Sequence, residues 1–212
     1  MSAFLGPIHY WLYNKINIQQ DITDKLYPLG DSYGRDLRAE CDSRYGDYIN
    51  QPLDEMIDLG NIHGWLQERV SQVEYKYAYT VTALLEIAPE LREQLLQILW
   101  EAGNNQAKVV RKSDEQPSPS QIYTLLSDQL LDGMPCDRAN QLISQNSTEA
   151  VWTRNLCVHT PYWEELGGNI ADYYELREAW MKGFLKEFHY SFQKTDDVTY
   201  RICAAPENTA SL

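Results

Sequence analysis

Cys157 and His159 stand two residues apart in NLCVHTPYWEELGGN, residues 155–169, just ahead of a helix-start signal. Alternate side chains of an extended chain point the same way, so a thiol and an imidazole at this spacing could offer two ligands to one ion. Thr160 as cap and Pro161 as first helical residue would put the positive end of a helix dipole beside them, which favours a thiolate. Cys136 is placed alike, directly before Asp137, the expected cap of a short helix over 138–145. The expected centre is therefore Cys136, Cys157 and His159, with His63 reaching across as a fourth ligand. Thiolate plus imidazole favours a transition metal, zinc or iron, or a metal-containing cofactor, over magnesium or calcium. The plainer reading is that free cysteines simply pack. No C-x-x-C or H-x-x-x-H spacing is present.

The four histidines, at 9, 63, 159 and 189, fall on or beside different expected helices. A di-iron carboxylate bundle would need Glu-x-x-His. The residues three before each histidine are Gly6, Gly60, Leu156 and Lys186, so the pattern fails at every site. His63 lies in GNIHGWLQERV, where small neighbours let another group approach, and Glu74 shares its helical face three turns on.

The chain carries 15 Tyr and 6 Trp. Tyr173, Trp180, Phe184 and Phe188 recur at helical spacing, and with Trp163 they suggest a pocket for a flat cofactor; Trp163, Tyr173 and Trp180 are the expected lining. At this spacing such a stripe is also ordinary core. Two readings of function follow. One is a soluble helical-bundle protein that binds a transition metal or metal-containing cofactor through Cys and His at helix N-termini. The other is a non-catalytic interaction or regulatory protein whose aromatic groove takes a partner helix or an apolar small molecule. The chain lacks G-x-G-x-x-G, a P-loop, G-x-S-x-G, the kinase set and an EF-hand loop, which removes support for the common nucleotide-dependent enzymes and serine hydrolases.

The elements that must position these groups read as helices. Ile62, Leu66, Val70, Val73, Tyr77, Val81 and Leu84 step by three and four, predicting a helix over 61–88 with Asn61 as cap and Pro89 as terminator. A second helix carries Leu91, Leu95, Ile98, Leu99 and Ala102, with Gly103 as its stop. A helix from Pro7 closes at Pro28 and Gly30, and a shorter one covers 32–45. Beyond residue 121 short helices are expected over 122–130, 138–145 and STEAVWTRNLC, and a long one starts at Asn169. DVTYRICAA alternates in period two and could form one edge strand, with nothing obvious to pair with.

The expected fold is all-α: an irregular multi-helix bundle of about seven helices, allowing one short C-terminal strand. KSDEQPSPSQ, 112–121, is the expected linker between an N-terminal helical half, 1–111, and a C-terminal half, 122–205, packed on it; 206–212 reads as a frayed tail.

Over 212 residues the net charge is −13, so binding to a nucleic acid or an anionic membrane surface is disfavoured. The apolar start, MSAFLGPIHYWLYNKI, is broken by Gly6 and Pro7 and has no basic leader, so neither a signal peptide nor a membrane span is expected, and the expected location is cytoplasmic. The four scattered cysteines then read as reduced thiols. A homodimer or protein partner through an aromatic face fits the composition.

Overall fold

The computed structural model describes residues 4–205. The expected frayed tail, 206–212, lies outside them. Helices dominate the first two thirds: α1 (Pro7–Leu26), α2 (Pro28–Asp31), α3 (Leu37–Tyr45), α4 (Leu53–Met56), α5 (Ile62–Ile87), α6 (Leu91–Val110) and α7 (Pro119–Ser127). A 3-10 turn at Pro135–Asp137 leads into β1 (Asn140–Gln145) and β2 (Glu149–Arg154). Then come α8 (Thr160–Glu165), α9 (Ile170–Glu187), β3 (Tyr190–Lys194) and β4 (Thr199–Ala204).

The all-α expectation is therefore corrected. The strands form one antiparallel sheet in the order β1-β2-β4-β3, two hairpins joined through their inner strands. The expected helices over 138–145 and STEAVWTRNLC are the first hairpin. Its turn is set by Asn146, whose side-chain oxygen accepts from the amides of Thr148 and Glu149. β1 has an almost wholly exposed burial pattern and a bulge between Leu142 and Ser144, so it leaves no period-two signal in the sequence. The C-terminal segment is a strand, but an inner one: β4 pairs with β2 on one side and β3 on the other. Its partners are the segments read as helix or not read at all.

Ala150 and Trp152 of β2, Tyr200 and Ile202 of β4, and Tyr190 and Phe192 of β3 turn one buried face of the sheet toward α7 and α9. Their ring faces and branched side chains remove most of that layer's apolar area from water. On the helical side, Leu12, Ile16, Leu66, Val70 and Val73 join α1 to the first half of α5. A larger core runs from Ile22 and Leu26 of α1 through Leu84, Leu95 and Leu99 to Trp180 and Phe184 of α9 and Ile202 of the sheet, spanning both sides of the 112–121 segment.

The α5 limits follow the sequence. Asn61 caps it by accepting from the Gly64 amide, and the helix stops just before Pro89. Gly103 behaves otherwise. It does not end α6, which continues to Val110. It is instead where α6 and α9 cross with their backbones touching. A Cβ added at Gly103 would lie 2.0 Å from the Trp180 carbonyl oxygen, and one at Gly183 would lie 1.9 Å from that of Trp100. Both glycines are spacers, and helix propensity is given up for close approach.

Gly183→Ala should therefore destabilise the fold by about 1–3 kcal/mol or more through overpacking. Gly103→Ala should do the same, although alanine is the better helix former. Urea melts of the two variants check this; unchanged or raised midpoints would rule out the close crossing.

Candidate functional site

At the junction of α5, α8 and α9, His159 is buried with only 2% of its surface exposed. Nδ1 lies 3.0 and 3.1 Å from the two carboxylate oxygens of Glu74, itself buried on α5. Nε2 lies 2.8 Å from the Tyr173 hydroxyl and 3.6 Å from Asp132. Arg177, one turn beyond Tyr173 on α9, donates to the Tyr173 oxygen at 2.9 Å and to both Asp132 oxygens at 2.9 and 2.8 Å. Burial opposes a charge on the imidazole, but Glu74 and Asp132 outweigh it and raise His159 to about 9. Burial would likewise raise the Asp132 carboxyl; Arg177 and His159 win and hold it well below the usual range. The two carboxylates thus favour the imidazolium, and both ring nitrogens are engaged.

Cys157 faces elsewhere. Its sulfur accepts hydrogen bonds from the hydroxyls of Thr160 and Tyr174, each at 2.9 Å. Burial pushes the thiol up, but these hydroxyls and the amides of His159 and Thr160 outweigh it and bring it below its ordinary value. The expected metal centre is therefore corrected. Cys157 and His159 are near in sequence but serve different surroundings. Cys136 is exposed on its 3-10 turn, and His63 is exposed in the first turn of α5. Asp137 does not cap a helix; its carboxylate accepts from the Met134 amide. Among the described residues, no group of three or more His, Cys, Asp or Glu side chains is arranged to hold a metal ion. The local reason is that the chain bends at Val158 and His159 as it enters α8, so the backbone between the two is not the extended one in which alternate side chains share a side.

Cys157 does line a cavity of about 450 Å³ between α9 and the sheet. Trp152, Met181, Phe192 and Tyr200 give it an apolar wall, and Arg154 and Arg177 contribute cations. Arg177 is neutralised by Asp132. Arg154 makes no ion pair among the described residues. It lies 3.9 Å over the Tyr174 ring and donates to the Tyr200 hydroxyl at 3.1 Å and the Asp197 carbonyl at 3.2 Å. The expected lining residues Trp163, Tyr173 and Trp180 are buried core and do not line this cavity. Tyr173 serves the network instead.

Sequence reasoning set Glu74 with His63 instead of His159, and it missed Asp132, Arg154 and Arg177. Two of these left a signal. Glu74 falls four after Val70 and three before Tyr77, and Arg177 four after Tyr173 and three before Trp180. A charged residue on an otherwise apolar stripe must find a buried partner.

No protein-family model, curated protein or solved structure matches the chain. No helix among the described residues is long and apolar enough to cross a membrane.

Two outcomes are expected. Below about pH 6.5, the ordinary histidine value, the raised pKa of His159 contributes its full stabilisation; this is lost as pH rises through about 9. Glu74→Gln should therefore cost about 3–5 kcal/mol at pH 6, by stranding a buried charge, and less at pH 9.5. Melts at both pH values test it, and an equal cost at both would contradict a charged His159. For Cys157, Thr160→Val and Tyr174→Phe should each shift the pH midpoint of iodoacetamide alkylation upward, read by mass spectrometry, with Cys136 unchanged as internal control.

Proposed function

We propose that the protein binds a small organic molecule with a flat or apolar body and one anionic group in the cavity between α9 and the sheet. The observation that carries this reading is Arg154, set beside an aromatic wall of Trp152, Phe192 and Tyr200: of the three cations lining the cavity, Arg177 pairs with Asp132 and Lys194 with Asp197, and Arg154 alone has no carboxylate partner among the described residues. The volume, about 450 Å³, suits a small organic ligand. Tyr174 beneath the guanidinium and the Tyr200 hydroxyl beside it fix the fork of donors in place before a ligand arrives, which lowers the ordering cost of binding. A carboxylate meeting that fork would gain bidentate, charge-assisted hydrogen bonds. The rings would cover its apolar body.

A second reading is favoured by one observation: the cavity also holds the sulfur of Cys157, with two hydroxyls donating to it. On that reading the bound molecule carries an electron-poor alkene: the Cys157 sulfur forms a C–S bond to the β-carbon as the π bond opens, and the thiol proton ends on the α-carbon. Cys157→Ser separates the two, since it would keep binding and remove any covalent adduct.

The test is calorimetric titration with an aryl carboxylate and its neutral carboxamide. The carboxylate should bind at least about tenfold more tightly, and Arg154→Met should remove that preference, a loss of about 1.5–3 kcal/mol. Equal affinities for the two compounds, or a preference that survives Arg154→Met, would sink the reading.

A further inference from the structure

On the other side of Asp132 and Asn140, which line both spaces, lies a second cleft of about 560 Å³ between α1 and the 133–141 segment. Lys15 lines it, although only 4% of the residue's surface is exposed. Its ammonium sits 3.5 Å from the centre of the Trp11 ring, one turn back on α1. That ring is held in turn by the indole N–H donating to Asp128 at 2.8 Å. Among the described residues the Lys15 side chain makes no hydrogen bond and no ion pair: the ammonium has the Trp11 ring on one side and the cleft on the other. A buried charge in that state is costly, and an aromatic face offsets part of the cost. The missing element is an acceptor.

We propose that Lys15 is the anchor of a separate site for a small oxyanion, a carboxylate or a phosphate group. The rest of the cleft agrees. Arg138 stands exposed on its rim without an ion pair among the described residues, Asn140 adds an amide donor, and the Asn155 amide, which donates to the Arg138 carbonyl, has a second N–H. Two carboxylates lie near the ammonium, and each is engaged through at least one oxygen. Asp132 is bound through both oxygens by Arg177, and Asp128 accepts from Trp11. Of the charged residues that line the cleft, two are cations, Lys15 and Arg138, and one, Asp132, is a carboxylate bound by Arg177, a local reversal of sign in a chain of net charge −13. Burial lowers the Lys15 amine to about 8, with Asp132 and Asp128 opposing and Arg177 assisting. An oxyanion would push it back up.

The site shares a partition with the cavity at Arg154, and benzoate is also a ligand of the kind proposed there, so the Lys15 resonances and the Lys15→Met and Arg154→Met variants tell the two sites apart. Inorganic phosphate and benzoate are titrated separately at constant ionic strength while the Lys15 side-chain resonances are followed by NMR. A saturable shift at Lys15, with an apparent Kd below about 5 mM for either anion, supports the site. Tighter phosphate binding assigns it to phosphate esters and tighter benzoate binding to organic acids. Lys15→Met keeps the volume and removes the buried charge, so it should fold and weaken binding at least about tenfold, while Arg154→Met should leave binding unchanged. Lys15 resonances that move only as in sodium chloride, a weaker Kd, or undiminished binding by Lys15→Met would overturn the proposal.

Discussion

A charged imidazole sealed from water has to be neutralised by groups carried on other elements, and the arrangement around His159 follows from that requirement. Glu74 comes from the middle of α5, Tyr173 and Arg177 from the first half of α9, and Asp132 from the loop after α7. None of the four is near His159 in the chain except Tyr173. Each charge in the set has an opposite neighbour, so the low-dielectric interior strengthens the attractions that hold the elements together instead of penalising single ions. The helices are thereby fixed in register as well as in contact, because a shift of one residue along α9 would separate Arg177 from Asp132.

The network also shapes the two empty spaces. Arg177 and Asp132 form part of the wall of the cavity at Arg154, and Asp132 and Asn140 divide it from the cleft at Lys15. With those two groups engaged in each other, the cations left without a carboxylate are the ones that face solvent-accessible space. The sheet supplies the opposite wall. Its rings are packed at the strand centres, Trp152 beside Tyr200 and Phe192, so the apolar side of the cavity is rigid. The crossing of α6 and α9 at Gly103 and Gly183 brings α9 in far enough for its other face to meet that sheet.

The cysteine–histidine pair shows how far spacing alone can carry a site. Two residues apart means a shared side only in extended backbone, and the chain at His159 has already turned into the α8 cap. The thiol was legible as a group with its acid form weakened, but for a partly different reason: hydroxyls of Thr160 and Tyr174 supply much of the effect. Glu74, Lys15 and Arg177 were written on apolar stripes as charges out of place. What they would meet was not written, since a stripe position says that a side chain is buried and nothing about the element opposite.

The sequence by itself determined the long helices α1, α5 and α9, because a 3.6-residue repeat and a local cap or proline act within a few residues of each other. The period-two alternation of DVTYRICAA also allowed a strand where β4 lies. Only the tertiary structure decided that β4 is an inner strand and that β1, exposed and bulged, is a strand at all, since a sheet edge is defined by its hydrogen-bonding neighbour more than by its own pattern. It alone decided that Gly103 is a spacer instead of a stop, and that the imidazole and the thiol at 159 and 157 look into different surroundings. The last two outcomes depend on groups more than 70 positions away in the chain, Trp180 opposite Gly103 and Glu74 opposite His159, and no local rule reaches that far.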